Sequence, residues 1–131
     1  MPRSQLLMVF TDAVSAQFAQ MMTVYCRKQL GMDQPRVGLL NVGTEPGKGN
    51  ALTKEVYELL QQESEVNFVG NVEAREVLEN AADIVVTDGF AGNILLKGLE
   101  GVARYMMTCL KEEVMSSTRN KIGGMLLKPA M

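Results

Sequence analysis

The 131-residue chain is 47% hydrophobic, 21% charged and 5% aromatic, with 13 basic and 15 acidic residues and no His or Trp. Its length suits one domain, and its apolar share excludes an intrinsically disordered chain. A net charge of −2 argues against a general nucleic-acid binder, and the lack of imidazole excludes His-based acid–base catalysis and His-ligated zinc.

Cys26 and Cys109 are too few and too far apart for a disulfide framework or a metal site. They read as reduced, mostly buried thiols of a cytoplasmic protein. No apolar run reaches the ~18–20 residues that span a bilayer. The segment Met1–Phe10 is only faintly leader-like, because its apolar core is short and Asp12 interrupts it. A soluble protein is expected.

Residues 1–14 carry no clear periodicity. From Ser15 to Leu30, the spacing of Phe18, Met21, Met22, Tyr25 and Leu30 predicts an amphipathic helix that Gly31 ends. Arg36–Leu40 reads as a short buried strand and Asn41–Asn50 as a Gly-rich turn. Ala51–Gln62 places Leu52, Val56, Leu59 and Leu60 on one helical face, with Asn50 as its N-cap. Val66–Val69 is a second strand, ending in a turn at Gly70-Asn71. A short helix follows at Glu73–Asn80. The β-branched run Asp83–Thr87 is a third strand, and Asp88–Asn93 is a second Gly-rich turn. A long helix over Ile94–Met115 carries Leu95, Leu99, Val102, Met106, Leu110 and Val114 at helical spacing, read as core or helix–helix interface.

Short buried strands alternating with helices predict an α/β fold, a parallel sheet with helices on both faces. Right-handed crossovers put both Gly-rich turns on the carboxyl edge, where open α/β sheets bind ligands. After Glu113 there is no acid, while Arg119, Lys121 and Lys128 are basic and Ile122, Met125, Leu126 and Leu127 apolar. Such a tail suits a membrane interface, a partner, or a further part of the same protein.

The first turn fits neither of two familiar nucleotide motifs. Gly43 and Gly47 enclose three residues where a phosphate-binding P-loop has four, and Gly49 follows Lys48 in place of Ser or Thr. The dinucleotide fingerprint fails because Leu52 stands where it needs Gly or Ala. What remains is a glycine-lined loop before a helix N-terminus, with Lys48 adding a full charge: an anion site suited to phosphate, or equally a strand–helix connection with a solvated Lys. In the second turn, Asn93 either caps the long helix or donates an amide hydrogen bond to an oxyanion. Asp88 orients ligand groups or makes an Asx-type turn. Glu73 and Arg75 read mainly as a local pair at a helix start.

Four colinear stretches together resemble one family. They are Arg36–Glu45 with Gly47–Asn50, Asn67–Arg75, Thr87–Asn93, and Leu99-Glu100-Gly101 with Leu126–Pro129. From about Gln17 onward the chain resembles the bacterial phosphate acyltransferase family of phospholipid synthesis. The resemblance implies transfer of a fatty acyl group from acyl carrier protein to inorganic phosphate, giving acyl phosphate. It also implies a homodimer with a fold related to phosphotransacetylases and isocitrate dehydrogenases. No cofactor or metal is implied. Lys48 and Asn93 match positions regarded as catalytic in the family, and the substrate-binding residues expected around them are Gly43, Thr44, Glu45, Gly47, Gly49, Asn50, Asn71, Asp88, Gly89 and Gly92. Ile122, Met125, Leu126 and Leu127 match a tip through which the family touches the membrane peripherally.

Family members are longer, and residues 1–16 depart from their pattern. The expected organisation is therefore one partial α/β domain, with a core over 17–115 and a basic amphipathic tail over 116–131. This C-terminal-half fragment is expected to expose core surface and to be inactive by itself. A phosphotransacetylase acting on acyl-coenzyme A and a non-catalytic binding module are the alternatives.

Overall fold

A computed structural model describes residues 7–10 and 15–130, so the leader-like reading of residues 1–12 lies largely outside the described residues. The chain divides into two compact units, residues 1–93 and 94–131.

The first unit is built on the β-branched run of its middle strand. All of β4 (Ile84–Thr87) is buried, as a strand covered on both faces must be. It lies between β1 (Leu7–Phe10) and β2 (Arg36–Leu40), and β3 (Asn67–Val72) completes the order β1-β4-β2-β3, all parallel. β1 falls where periodicity gave no reading, since four residues are too few to establish a period.

Right-handed connections account for the layers. The steps from β1 to β2 and from β2 to β3 run in the same direction across the sheet. Their helices, α1 (Ser15–Gln29) and α2 (Ala51–Gln62), therefore share one face. Together with Val37, Leu39, Ile84 and Val86 they bury Ala19, Cys26, Val56 and Leu60 in one core. The return from β3 to β4 covers the opposite face, where Val72 and Ala82 close over Gly38. That connection is a 3-10 turn (Ala74–Glu76) within the span expected to be a helix.

α1 ends one residue earlier than expected, and of its predicted apolar face only Met22 and Leu30 pack against the core. Ala19, Thr23 and Cys26, spaced i, i+4, i+7, are the buried residues, while Phe18, Met21 and Tyr25 are exposed. Small side chains let the helix approach the sheet closely, and the Thr23 hydroxyl is satisfied by donating to the Ala19 carbonyl at 2.8 Å. α2 keeps both its bounds and its cap: Asn50 Oδ1 accepts from Thr53 N at 2.9 Å. Leu59, expected on its apolar face, is exposed, whereas Tyr57 meets Phe68 of β3 edge-to-face at 5.0 Å.

The second strand also differs from expectation. Gly70 and Asn71 lie within β3 rather than in a turn. Gly70 has φ +99°, and the pairing steps from Val37↔Phe68 to Gly38↔Gly70, so Val69 is an extra, bulged residue. The bulge absorbs the glycine without ending the strand.

At the amino edge, Arg36 ties β2 to the start of β4. Its guanidinium donates to both Asp83 carboxylate oxygens, at 3.2 and 3.1 Å, and to the Asn80 carbonyl at 2.9 Å. Burial alone would raise the Asp83 carboxyl, but the hydrogen bonds and charge of Arg36 outweigh it and hold the group below its ordinary range. Burial, then the charge of Asp83, push the Cys26 thiol up. Cys109, expected to be mostly buried, is exposed.

The second unit contains the greater part of α3 (Gly89–Met115) and all of α4 (Thr118–Leu127). Ser117 caps α4 by accepting from Asn120 N at 3.1 Å, and Asn120 Nδ2 donates to the Glu113 carbonyl at 3.1 Å. α4 approaches α3 at Gly124, where an added Cβ would collide with Val114 Cγ1. Val102, Met106 and Leu110, predicted at a core or helix interface, are exposed. Among the described residues no helix is long and apolar enough to cross a membrane.

Candidate functional site at the carboxyl edge

Parallel strands put their carboxyl ends on one edge of the sheet. β2 and β4 are neighbours there, with Leu39 opposite Val86. The two Gly-rich segments, starting at Asn41 and Asp88, therefore leave adjacent strands side by side, about 4.8 Å apart in the hydrogen-bonding direction. Between them, Leu39, Leu40, Leu52, Thr53, Val56, Val86, Thr87 and Asp88 line a narrow cleft.

The first loop is held by two asparagine amides. Asn41 Oδ1 accepts from Val42 N at 2.8 Å, while its Nδ2 donates to the Lys48 carbonyl at 3.0 Å and to Asn71 Oδ1 at 3.1 Å. Asn71, only 8% exposed, donates in turn to the Glu45 carbonyl at 2.8 Å. Lys48 N closes the turn on the same carbonyl at 3.1 Å. The chain then folds tightly on itself. A Cβ on Gly43 would stand 2.9 Å from Glu45 Oε2 and 3.0 Å from Lys48 Cγ, so the Lys48 stem crosses directly over this glycine. Gly49 has φ +100°, and a Cβ there would strike Thr53 Oγ1 and Asn41 Oδ1.

The second loop is shorter than expected, because α3 begins at Gly89 rather than Ile94. Asp88 is the reason. Its Oδ1 accepts from Ala91 N at 2.7 Å and its carbonyl accepts from Gly92 N at 3.0 Å, which starts the helix. Asn93 therefore does not cap the helix; it lies exposed in the second turn of α3.

Both helices begin at this edge with N–H groups to spare. Among the described residues no group accepts from the N–H of Ala51 or Leu52 in α2, or of Gly89 or Phe90 in α3. Two helix N-termini on adjacent strands, with the exposed Lys48 ammonium nearby in the chain, can bind an anion. The predicted residues thus fall into two groups. Gly43, Gly49, Asn50, Asn71 and Asp88 shape the backbone through the contacts given above. Thr44, Glu45, Gly47 and Lys48 are exposed on the first loop and Gly89 and Asn93 on the first two turns of α3, where Gly92 is buried. Neither Lys48 nor Asn93 lines the cleft.

Sequence reasoning missed Asn41, Thr53 and Thr87. An Asn at a strand exit before a Gly-rich stretch is a signal for Asn41. The two threonines carry none beyond their places at a helix start and a strand end. Among the described residues no group of three or more acidic or Cys side chains could hold a metal.

A family profile described as fatty acid synthesis protein matches residues 13–131. A phosphate acyltransferase of Staphylococcus aureus strain MRSA252 is 53% identical over 112 residues, which cover 86% of this chain and 34% of that protein. The phosphate acyltransferases of strains MSSA476 and MW2 of the same species are 52% identical over the same length. The chain therefore spans about a third of the length of the curated relatives it matches. It belongs to this family of fatty acid synthesis proteins, and the relatives named here are phosphate acyltransferases.

Proposed function

We propose that this chain carries the phosphate-binding and acyl-transfer half of a phosphate acyltransferase site. The observation that carries the reading is the pair of Gly-rich loops and free helix N-termini leaving adjacent strands β2 and β4. In the proposed reaction a phosphate oxygen attacks the thioester carbonyl of a fatty acyl–acyl carrier protein. A tetrahedral oxyanion forms and collapses, the carrier thiolate leaves, and acyl phosphate is released. The N–H groups at the start of α2 and the Lys48 ammonium hold and neutralise phosphate. The Asn93 amide donates to the oxyanion. Asn41 and Asn71 are positioning residues that fix the loop bearing Lys48.

Because the chain spans only a third of its relatives, it is inactive alone in this reading and works within a longer, homodimeric, cytoplasmic assembly. Its tail contacts the membrane surface peripherally. Ile122 and Leu126, one turn apart on α4 and 57% and 78% exposed, are the residues that insert, flanked by Met125 and Leu127.

The test is a chimaera in which the 112 matched residues of this chain replace those of the S. aureus relative. Acyl phosphate is trapped with hydroxylamine after incubation with phosphate and either acyl–acyl carrier protein or acyl-coenzyme A. Turnover with the carrier-protein donor is expected, and Lys48→Ala should lower it by about 10²–10³, the scale of one lost charge-stabilising group. Unaltered turnover in that variant removes Lys48 from the mechanism. A preference for acyl-coenzyme A indicates the phosphotransacetylase reading. A folded chimaera that binds phosphate or carrier protein but makes no product with either donor indicates a binding module.

A further inference from the structure

The first Gly-rich loop carries an acid that an anion site would ordinarily exclude. Glu45 Oε2 stands 2.9 Å from the point where a Cβ on Gly43 would lie, and Lys48 Cγ and Cδ stand 3.0 and 3.3 Å from the same point. The carboxylate and the lysine stem are therefore neighbours across the bare face of Gly43. Opposite charges so placed would ordinarily pair, yet among the described residues Glu45 and Lys48 form no ion pair. The Glu45 carboxylate accepts no hydrogen bond among those residues either.

Its position is set by its backbone. The Glu45 carbonyl accepts from Asn71 Nδ2 at 2.8 Å and from Lys48 N at 3.1 Å. Pro46 and Gly47 fill the central positions of the turn that the second bond closes, and Pro46 fixes φ at the first of them. Glu45 and Lys48 thus flank one anchored turn, both exposed, with opposite charges held apart.

We infer that Glu45 is a specificity-determining residue of the proposed phosphate site: it accepts a hydrogen bond from a protonated oxyanion and rejects one that has no proton. The inference rests on that site for its ligand and adds to it the choice between phosphate and sulfate. An ionised carboxylate has acceptors only. At neutral pH inorganic phosphate keeps a proton to donate, whereas sulfate has lost both of its own. Phosphate therefore bridges the two side chains, accepting charge-assisted bonds from Lys48 and donating one to Glu45. Sulfate, close to phosphate in size and shape, brings only lone pairs and negative charge against the carboxylate. Lys48 and the N–H groups of α2 would attract either anion, so selection comes from repulsion of the wrong one.

The probes are inorganic phosphate, arsenate and sulfate, each titrated at neutral pH into the 131-residue chain by calorimetry. Phosphate should bind about tenfold more tightly than sulfate, the scale of one unfavourable charge contact. Arsenate, larger than sulfate but protonated as phosphate is, should follow phosphate, which separates protonation from size. Glu45→Gln keeps the length of the side chain, removes its charge and adds an N–H donor. That variant should gain about tenfold in affinity for sulfate, bringing the two anions near parity, with an unchanged far-UV spectrum. In the chimaera described above, sulfate should then inhibit Glu45→Gln at about a tenth of the concentration that inhibits the parent. Equal binding of phosphate and sulfate by the parent, arsenate grouping with sulfate, or an unaltered sulfate affinity in Glu45→Gln would overturn the inference and leave the phosphate site standing. Failure of the chain to bind phosphate would overturn both. An inactive chimaera that still binds phosphate and rejects sulfate would support the inference and count against acyl transfer alone.

Discussion

Asn71→Ala tests whether the loop bearing Lys48 is set by side-chain amides. The substitution removes a donor 2.8 Å from the Glu45 carbonyl and an acceptor 3.1 Å from Asn41 Nδ2, both partly buried. Two such bonds are worth about 0.5–1.5 kcal/mol each. Neither remaining group is orphaned: Glu45 O still accepts from Lys48 N, and Asn41 Nδ2 still donates to Lys48 O. The cost should therefore sit in the lower half of the range, about 1–2 kcal/mol. With a urea slope of roughly 1.5 kcal/mol/M, the midpoint falls by about 1 M. Released from Asn71, the loop should also open locally, and trypsin should cut faster after the exposed Lys48. Asn71→Asp sharpens the test. At neutral pH its carboxylate would face the Glu45 carbonyl, so the loss should exceed that of Asn71→Ala, and it should shrink on acidification as the protonated carboxyl donates again. Stability within about 0.3 kcal/mol of the parent, together with unchanged cleavage after Lys48, would refute the argument.

Asp83→Asn should destabilise the chain at pH 7, and its deficit relative to the parent should vanish in acid. Arg36 holds the folded-state carboxyl below its ordinary value, so its contribution is present above the unfolded pKa of ~3.9 and is lost as pH falls through the lower folded one; urea titrations at pH 7 and stepwise into acid measure this. Gly38→Ala should cost about 1–3 kcal/mol by overpacking, because its Cβ would collide with Val72 Cγ2 and stand 3.1 Å from Ala82 Cβ; thermal unfolding reads it. Leu126→Glu should leave the fold intact, since the side chain is 78% exposed, while reducing co-sedimentation with anionic liposomes; unchanged co-sedimentation would count against the membrane tip.

Elements with strong local signals were readable from sequence to within a residue or two. β2 and α2 have the predicted bounds, and the β-branched run of β4 is a buried central strand. What failed depended on tertiary geometry. Periodicity picked out the large side chains of α1, but the sheet accepts its small ones, Ala19, Thr23 and Cys26. Gly70-Asn71 looked like punctuation because composition does not distinguish a turn from a bulge within a paired strand. Two residues, Asp88 and Asn93, competed to cap α3, and the upstream one prevails. The edge carrying the candidate site was legible as two loops after buried strands. The Asn41–Asn71 bridge was not, since it joins residues on different strands.

The extra residue at Val69 decides which way the end of β3 presents itself. Side chains alternate along a strand, so one inserted position exchanges inside for outside in everything downstream. With the bulge, Asn71 stands opposite Leu39, on the side where α2 begins, and Val72 turns to the other side against Gly38. Were the same residues paired without the bulge, with Val69 against Gly38, a valine would turn toward the Gly-rich loop and an amide into the hydrocarbon layer behind it. The bulge is thus a parity switch, and a chain lacking one residue here would pair regularly while still setting Asn71 opposite Leu39.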